Sequence, residues 1–207
     1  YLLSKICKEI NFPKGVLNII HGRGEKLGDA LTTHQDVPIV SFTGGSDTGK
    51  HISRVTAPFF KKLSLELGGK NPNIIFDDCD FDNAVSTASR AAFTNQGQIC
   101  LCGSRVFVQN KIYEKFKSAL VDKAKKLIVG DPKNSNSHLG AVVSEEHMNK
   151  ILLKINEAKK LGGILLCGGE RLILEGELKN GYYIQPTVFE NLPYDCSINN
   201  EEIFGPV

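Results

Sequence analysis

Between Tyr1 and Phe93 the chain repeatedly sets a short branched apolar run before glycines and then a helical period, an order that few folds accommodate. Val16-Leu17-Asn18-Ile19-Ile20 reads as a strand running into His21-Gly22-Arg23-Gly24, after which Leu27, Ala30 and Leu31 suggest a helix to about His34. Val37 to Phe42 is the next strand and ends in a glycine loop, Thr43 to Gly49. Lys62 to Glu66 and Asn73 to Phe76 are two further strand-like runs, separated by a turn through Leu67-Gly68-Gly69-Lys70-Asn71-Pro72. Strands that are nearly all apolar belong to a sheet covered on both faces, and their alternation with helices means βαβ units. The expected fold is α/β, with a doubly wound parallel sheet whose ligands lie at the carboxyl ends of its strands.

Helix starts after such strands offer unpaired N–H groups and a partial positive charge, and glycines let a pyrophosphate approach the backbone. A phosphate-bearing cofactor is expected there. The pattern from Gly44 to Gly49-Lys50 also fits the first seven positions of a P-loop, with Ile74-Ile75-Phe76-Asp77 as an acidic strand end for magnesium. The eighth position decides against nucleotide hydrolysis. A P-loop sets a Ser or Thr hydroxyl on the metal, and this chain has His51.

The next stretch of the chain is organised around one thiol. Ala84, Val85, Ala88, Ala91, Ala92 and Phe93 recur at helical spacing behind Asp80, a plausible N-cap, and Val106-Phe107-Val108 reads as a strand. Cys100 lies between them in a glycine-flanked connection, Asn95-Gln96-Gly97-Gln98-Ile99-Cys100-Leu101-Cys102-Gly103. Most cysteines are small buried hydrophobes. A connection that exposes backbone N–H groups, however, can favour a thiolate and hold an oxyanion. Cys102 is a rival that periodicity does not separate from Cys100. Further on, Ile112 to Ile128 and Ser144 to Leu161 read as helices, Ile164 to Cys167 as a strand, Gly168 to Gly181 as a loop, and Tyr182 to Phe189 as one or two strands. His138 and His147 are expected on solvated surfaces.

Composition narrows the partners. Lys and Arg total 25 against 23 Asp and Glu, a net charge of +2 that is too near balance to argue for nucleic acid. No apolar run is long enough to span a membrane. The six cysteines are scattered without paired C-x-x-C arrays, which suits a reducing, cytoplasmic setting and gives no metal site.

Four motifs stand in one order: Phe42-Thr43-Gly44-Gly45 with Gly49; Glu66-Leu67-Gly68-Gly69-Lys70; Asn95 to Cys100 followed by Ser104-Arg105; and Glu201-Glu202-Ile203-Phe204-Gly205-Pro206-Val207. With them the chain resembles the aldehyde dehydrogenase superfamily over essentially its whole length, as an internal segment truncated at both ends. The finer wording, LSLELGGKNPNIIFDD, NQGQICLCGSRVFVQ and IYEKF, is similar to the branch acting on muconic semialdehydes. The resemblance implies the latter half of a dinucleotide-binding domain (1–66) followed by part of an α/β catalytic domain (67–207).

It also implies the chemistry: oxidation of an aldehyde to the acid with NAD, NADP not being excluded, through a cysteine thiohemiacetal and thioester. Cys100 is the implied nucleophile and Glu66 the base for thioester hydrolysis. Leu65 and Leu67 are expected to shield that carboxylate and make it a better base. Gly24, Gly28, Gly44, Gly45, Ser46 and Gly49, then Leu67, Gly68, Glu202 and Phe204, match positions that contact the dinucleotide. Gly45-Ser46 stands where the family commonly has Ser-Thr. The implied partners are a small-molecule aldehyde and further copies of the chain, as a homodimer or homotetramer. A non-catalytic relative with a structural role would be expected to lack Cys100 or Glu66, and both are present.

Overall fold

The computed structural model describes residues 1–207, which fall into two units, Tyr1–Glu66 and Leu67–Val207. The first contains α1 (Leu2–Glu9), α2 (Gly24–Thr32), β1 (Ile39–Gly44), α3 (Ser46–Thr56) and β2 (Lys62–Leu67), with β1 paired to β2. Thr32, Val40, Gly49, Ile52 and Thr56 are its buried residues. The Thr56 hydroxyl is satisfied inside its own helix by the Ile52 carbonyl at 2.6 Å. Lys61 closes the turn into β2 by donating to the carbonyls of His34 and Val37.

Two expectations are corrected here. Val16 to Ile20 forms no strand; Val16, Leu17, Ile19 and Ile20 are 40–66% exposed, and no segment of the chain pairs with them. An apolar run becomes a strand only where a neighbour takes its N–H and C=O groups. The glycine loop from Thr43 to Gly49 shrinks to a single residue, because Gly44 ends β1 and Ser46 already begins α3.

The second unit begins with β3 (Pro72–Ile75), α4 (Phe81–Phe93), β4 (Arg105–Val108) and α5 (Tyr113–Lys125). β3 and β4 are parallel, Pro72 opposite Arg105 and Ile75 opposite Val108, with α4 as the crossover between them. Asp80 caps α4 as its sequence position suggests, accepting from the Asn83 N–H at 3.3 Å. Ile75, Val85, Ala88, Phe116 and Leu120 seal strand and helices into one apolar cluster.

After a connection that a Val129–Leu139 bridge ties to the core come α6 (Glu145–Lys160), β5 (Ile164–Cys167), β6 (Arg171–Leu172), β7 (Tyr183–Ile184), β8 (Val188–Glu190) and α7 (Ser197–Asn200). Ser144 caps α6 by accepting the His147 N–H at 3.1 Å. Met148, Ile151, Ile155 and Ala158 form the buried stripe of α6, packed with Val142, Ile184, Ile198 and Ile203. The strands here pair antiparallel, β5 with β8 and β6 with β7. The stretch Gly168 to Gly181, expected as a loop, therefore contains β6 and a 3-10 turn at Gly176–Leu178.

Candidate active site

The parallel register sets the residue before β3 beside the segment that enters β4. The Asn71 side-chain amide donates to the Cys100 carbonyl at 2.7 Å and to the Cys102 carbonyl at 3.1 Å. Arg105 reinforces the same seam, its N–H donating to the Asn71 carbonyl (3.1 Å) and its Nε to the Lys70 carbonyl (2.8 Å). Cys100 thus lies at the amino end of these strands.

The turn before it is strained and held. Asn95, Gln96 and Gly97 are successive left-handed residues, with φ of 51°, 58° and 70°. Such conformations cost on the order of 1–3 kcal/mol for a non-glycine residue unless neighbours enforce them. Here the amides do so: Asn95 donates to the Gln98 carbonyl, Gln96 to the Ala141 carbonyl, and Gln98 Oε1 accepts the Val143 N–H, at 3.0–3.1 Å. A Cβ on Gly97 would stand 2.1 Å from the Gly205 carbonyl oxygen, so only glycine lets this turn meet the chain's last motif.

Cys100 is exposed and its N–H makes no hydrogen bond within the chain. Cys102 differs on both counts: it is 7% exposed, its N–H donates to the Ile99 carbonyl at 3.0 Å, and burial pushes its thiol up. The structure separates the two cysteines that periodicity left equivalent.

Lys70, Glu202 and Phe204 of the second unit gather with Gly97, Ile99 and Cys102 around one small cavity beside this turn. The Glu202 carboxylate lies against Gly68, where an added Cβ would come within 1.8 Å of Oε2. Burial raises the Glu202 carboxyl above its ordinary range, opposed by the Gly69 N–H and the Lys70 cation. Burial and then the Arg105 guanidinium lower Lys70 to about 8. Leu67 and Gly68 are half-buried. Phe204 is left-handed as well, φ 56°, and its carbonyl accepts from His147 Nε2 at 2.7 Å. His147 is half-buried and bonded, not solvated as expected, while His138 is exposed and accepts the Ile128 N–H. In the sequence Lys70 and Asn71 stand only as residues of a glycine turn, and His147 only as an expected surface histidine. Only Asn71 carries a local signal, since a residue before proline is held extended.

In the first unit, Gly24 opens α2, Gly28 lies one turn on, and Gly45 precedes Ser46 at the start of α3. A Cβ added at Gly24, Gly28 or Gly45 meets nothing within 4 Å, whereas one on Gly44 would meet the Phe42 ring and Gly49 is buried. Open glycines over free helix-start N–H groups fit an approaching phosphate. His51 has another use than the P-loop reading required: Nε2 bonds Asp29 at 2.7 Å and Nδ1 accepts from Arg54 at 3.1 Å, tying α3 to α2. Asp77, the acidic strand end, is paired with Lys111 at 2.6 Å.

Glu66 stands exposed near the end of β2. The shielding expected from Leu65 and Leu67 is not provided, because alternate residues of a strand face opposite ways.

The profile of the aldehyde dehydrogenase family matches residues 1–207. The chain is 41% identical to 2-aminomuconic semialdehyde dehydrogenase of Danio rerio over 209 residues, all of this chain and 43% of that relative. It is 44% identical to 4-trimethylaminobutyraldehyde dehydrogenase A of the same organism, all of this chain and 41% of that one. Among solved structures, betaine aldehyde dehydrogenase from Staphylococcus aureus in complex with NAD+ superposes with a TM-score of 0.95 at 43% identity, over 99% of this chain and 40% of that one. The chain thus spans less than half the length of the relatives it matches.

Proposed function

Since this chain belongs to the aldehyde dehydrogenase family, we propose that it oxidises an aldehyde to the carboxylic acid with NAD+, or NADP+, using Cys100 as nucleophile and Glu66 as base. The observation that supports this most is the Asn71 clamp. It presents an exposed thiol beside an unspent N–H at the meeting point of three of the four motifs.

The Cys100 thiolate would add to the aldehyde carbon, and the free Cys100 N–H would donate to the oxyanion of the resulting thiohemiacetal. The dinucleotide, when bound, supplies the hydride acceptor that takes this adduct to a thioester. Glu66 would accept a proton from the water that hydrolyses the thioester, releasing the acid and restoring the thiol. Gly24, Gly28, Gly44, Gly45, Ser46 and Gly49 are the proposed pyrophosphate-side contacts, supported by the open glycines over α2 and α3. Leu67, Gly68, Glu202 and Phe204 are the proposed contacts at the nicotinamide end. Residues 1–66 would then serve as part of the dinucleotide-binding domain and 67–207 as part of the catalytic domain.

The aldehydes to try first are muconic semialdehydes, supported by the relatives of that name. Self-association as a dimer or tetramer and a cytoplasmic setting belong to the same proposal, the latter supported by six free thiols. No helix is long and apolar enough to cross a membrane.

The test is a panel of aldehydes with NAD+, run on the protein expressed from its complete coding sequence. Reduced cofactor and acid should form in equal amounts, and Cys100→Ser should abolish both. Turnover that survives Cys100→Ser would overturn the assignment.

A further inference from the structure

The loop bearing Glu202 and Phe204 is pinned almost residue by residue, and α6 does much of the pinning. Ile203 is buried in the cluster that includes Ile151 and Ile155 of α6. A Cβ on Gly205 would stand 2.6 Å from Ile151 Cδ1, so that residue too is packed on α6. Pro206 is held from the other side, its carbonyl accepting the Thr187 N–H at 2.8 Å. Between them Phe204 keeps a left-handed backbone, φ 56°, which is rare for a bulky residue and needs enforcement from outside. Its carbonyl has one side-chain partner, His147 Nε2 at 2.7 Å, and the two rings meet edge to face with centroids 6.0 Å apart at 64°. Since a carbonyl only accepts, Nε2 carries the proton. His147 is itself fixed in the first turn of α6, its N–H donating to Ser144 Oγ.

We propose that His147 is a positioning residue for the dinucleotide: by holding the Phe204 carbonyl it sets the direction in which the Phe204 ring leaves the loop. The inference rests on the reading of Phe204 as a contact at the nicotinamide end. Without the bond, the Phe204 peptide is free to turn toward an ordinary φ, and the ring leaves its place while Ile203 and Gly205 stay packed. The loss is then one of binding and not of folding.

Three substitutions test this in the protein from its complete coding sequence, with the dissociation constant for NAD+ measured by calorimetry, KM for NAD+ and kcat by turnover, and stability by urea unfolding. His147→Ala removes bond and ring contact, His147→Phe keeps a ring without a donor, and His147→Gln keeps an N–H donor at a similar reach. Expected is a rise of about fivefold to tenfold in Kd and KM for NAD+ with Ala and Phe, the scale of one lost hydrogen bond. kcat at saturating NAD+ should change much less, and Gln should restore wild-type binding. If His147→Ala proves too unstable to study, the Phe and Gln pair reads the bond alone. Unchanged Kd in the variants, or a Gln variant no better than Phe, overturns the inference while leaving the proposed function intact. A wild-type protein that binds no NAD+ overturns both.

Discussion

The α-carbon of Gly97 faces the Gly205 carbonyl so closely that a methyl group there would stand 2.1 Å from the oxygen. The atom in the way is backbone, and Gly97 is also left-handed at φ 70°. Gly97→Ala therefore combines the left-handed penalty of about 1–2 kcal/mol with a forced separation of the Cys100 turn from the last motif. A loss of about 3 kcal/mol or more is expected in urea unfolding. A loss below about 1 kcal/mol would mean that the two segments do not meet as described.

Gly28 predicts the opposite sign. It lies inside α2 with open space where a Cβ would go, so Gly28→Ala should raise stability by roughly 0.5–1 kcal/mol through helix propensity. If that space belongs to a dinucleotide, the same methyl should weaken NAD+ binding. Stability and affinity moving in opposite directions is the expected result; affinity that rises or stays level would remove Gly28 from the cofactor site.

Limited alkylation at pH 8 should label Cys100 before Cys102, because Cys100 is exposed while burial holds Cys102 in its thiol form. Peptide mapping reads the order directly. Cys102→Ser should keep turnover while costing on the order of 1 kcal/mol for a buried hydroxyl. Labelling of Cys102 first would exchange the roles of the two residues.

The features legible in the sequence are those whose cause is local. Asp80 and Ser144 announce their helices because a cap bonds three residues on, and Gly97 marks the one left-handed position of its turn where a Cβ would strike the Gly205 carbonyl. Partners far along the chain leave no period to find. Asn71 reaches Cys100 across 29 residues and His147 reaches Phe204 across 57, and neither spacing carries a signal. Val16 to Ile20 shows the converse, a run with strand composition and no ladder to join. Two-residue strands such as β6 are shorter than any period that could reveal them.

Tyr113 ties α5 to β8 by donating to Glu190 Oε1 at 2.7 Å, with Lys117 on the same oxygen at 3.0 Å. The Tyr113 hydrogen bond, then Lys117, holds the Glu190 carboxyl below its ordinary range. The stability this contributes is present above the unfolded carboxyl's titration and is lost as pH falls through the lower folded value. Tyr113→Phe should cost about 1–2 kcal/mol at neutral pH and less in acid. An equal cost at both would show that Glu190 is not the acceptor.

Lys70 gives the clearest pH dependence. Burial, with the Arg105 guanidinium beside it, lowers the amine from 10.5 to about 8. Between those values the unfolded chain holds a proton that the folded chain has released, so raising the pH favours the fold. The penalty for burying the charge is complete below about pH 8 and gone above about 10.5, each unit of the window being worth up to about 1.4 kcal/mol. Lys70→Met keeps the length of the side chain and removes the charge. It should raise unfolding free energy at pH 7 by about 1–3 kcal/mol and lose that advantage toward pH 10.5. The difference between variant and wild type is the quantity to follow, because tyrosines and thiols titrating in the same range cancel from it. A difference that stays constant from pH 7 to 10.5 would place the Lys70 ammonium in water, outside the seam formed by Gly68, Glu202 and Arg105.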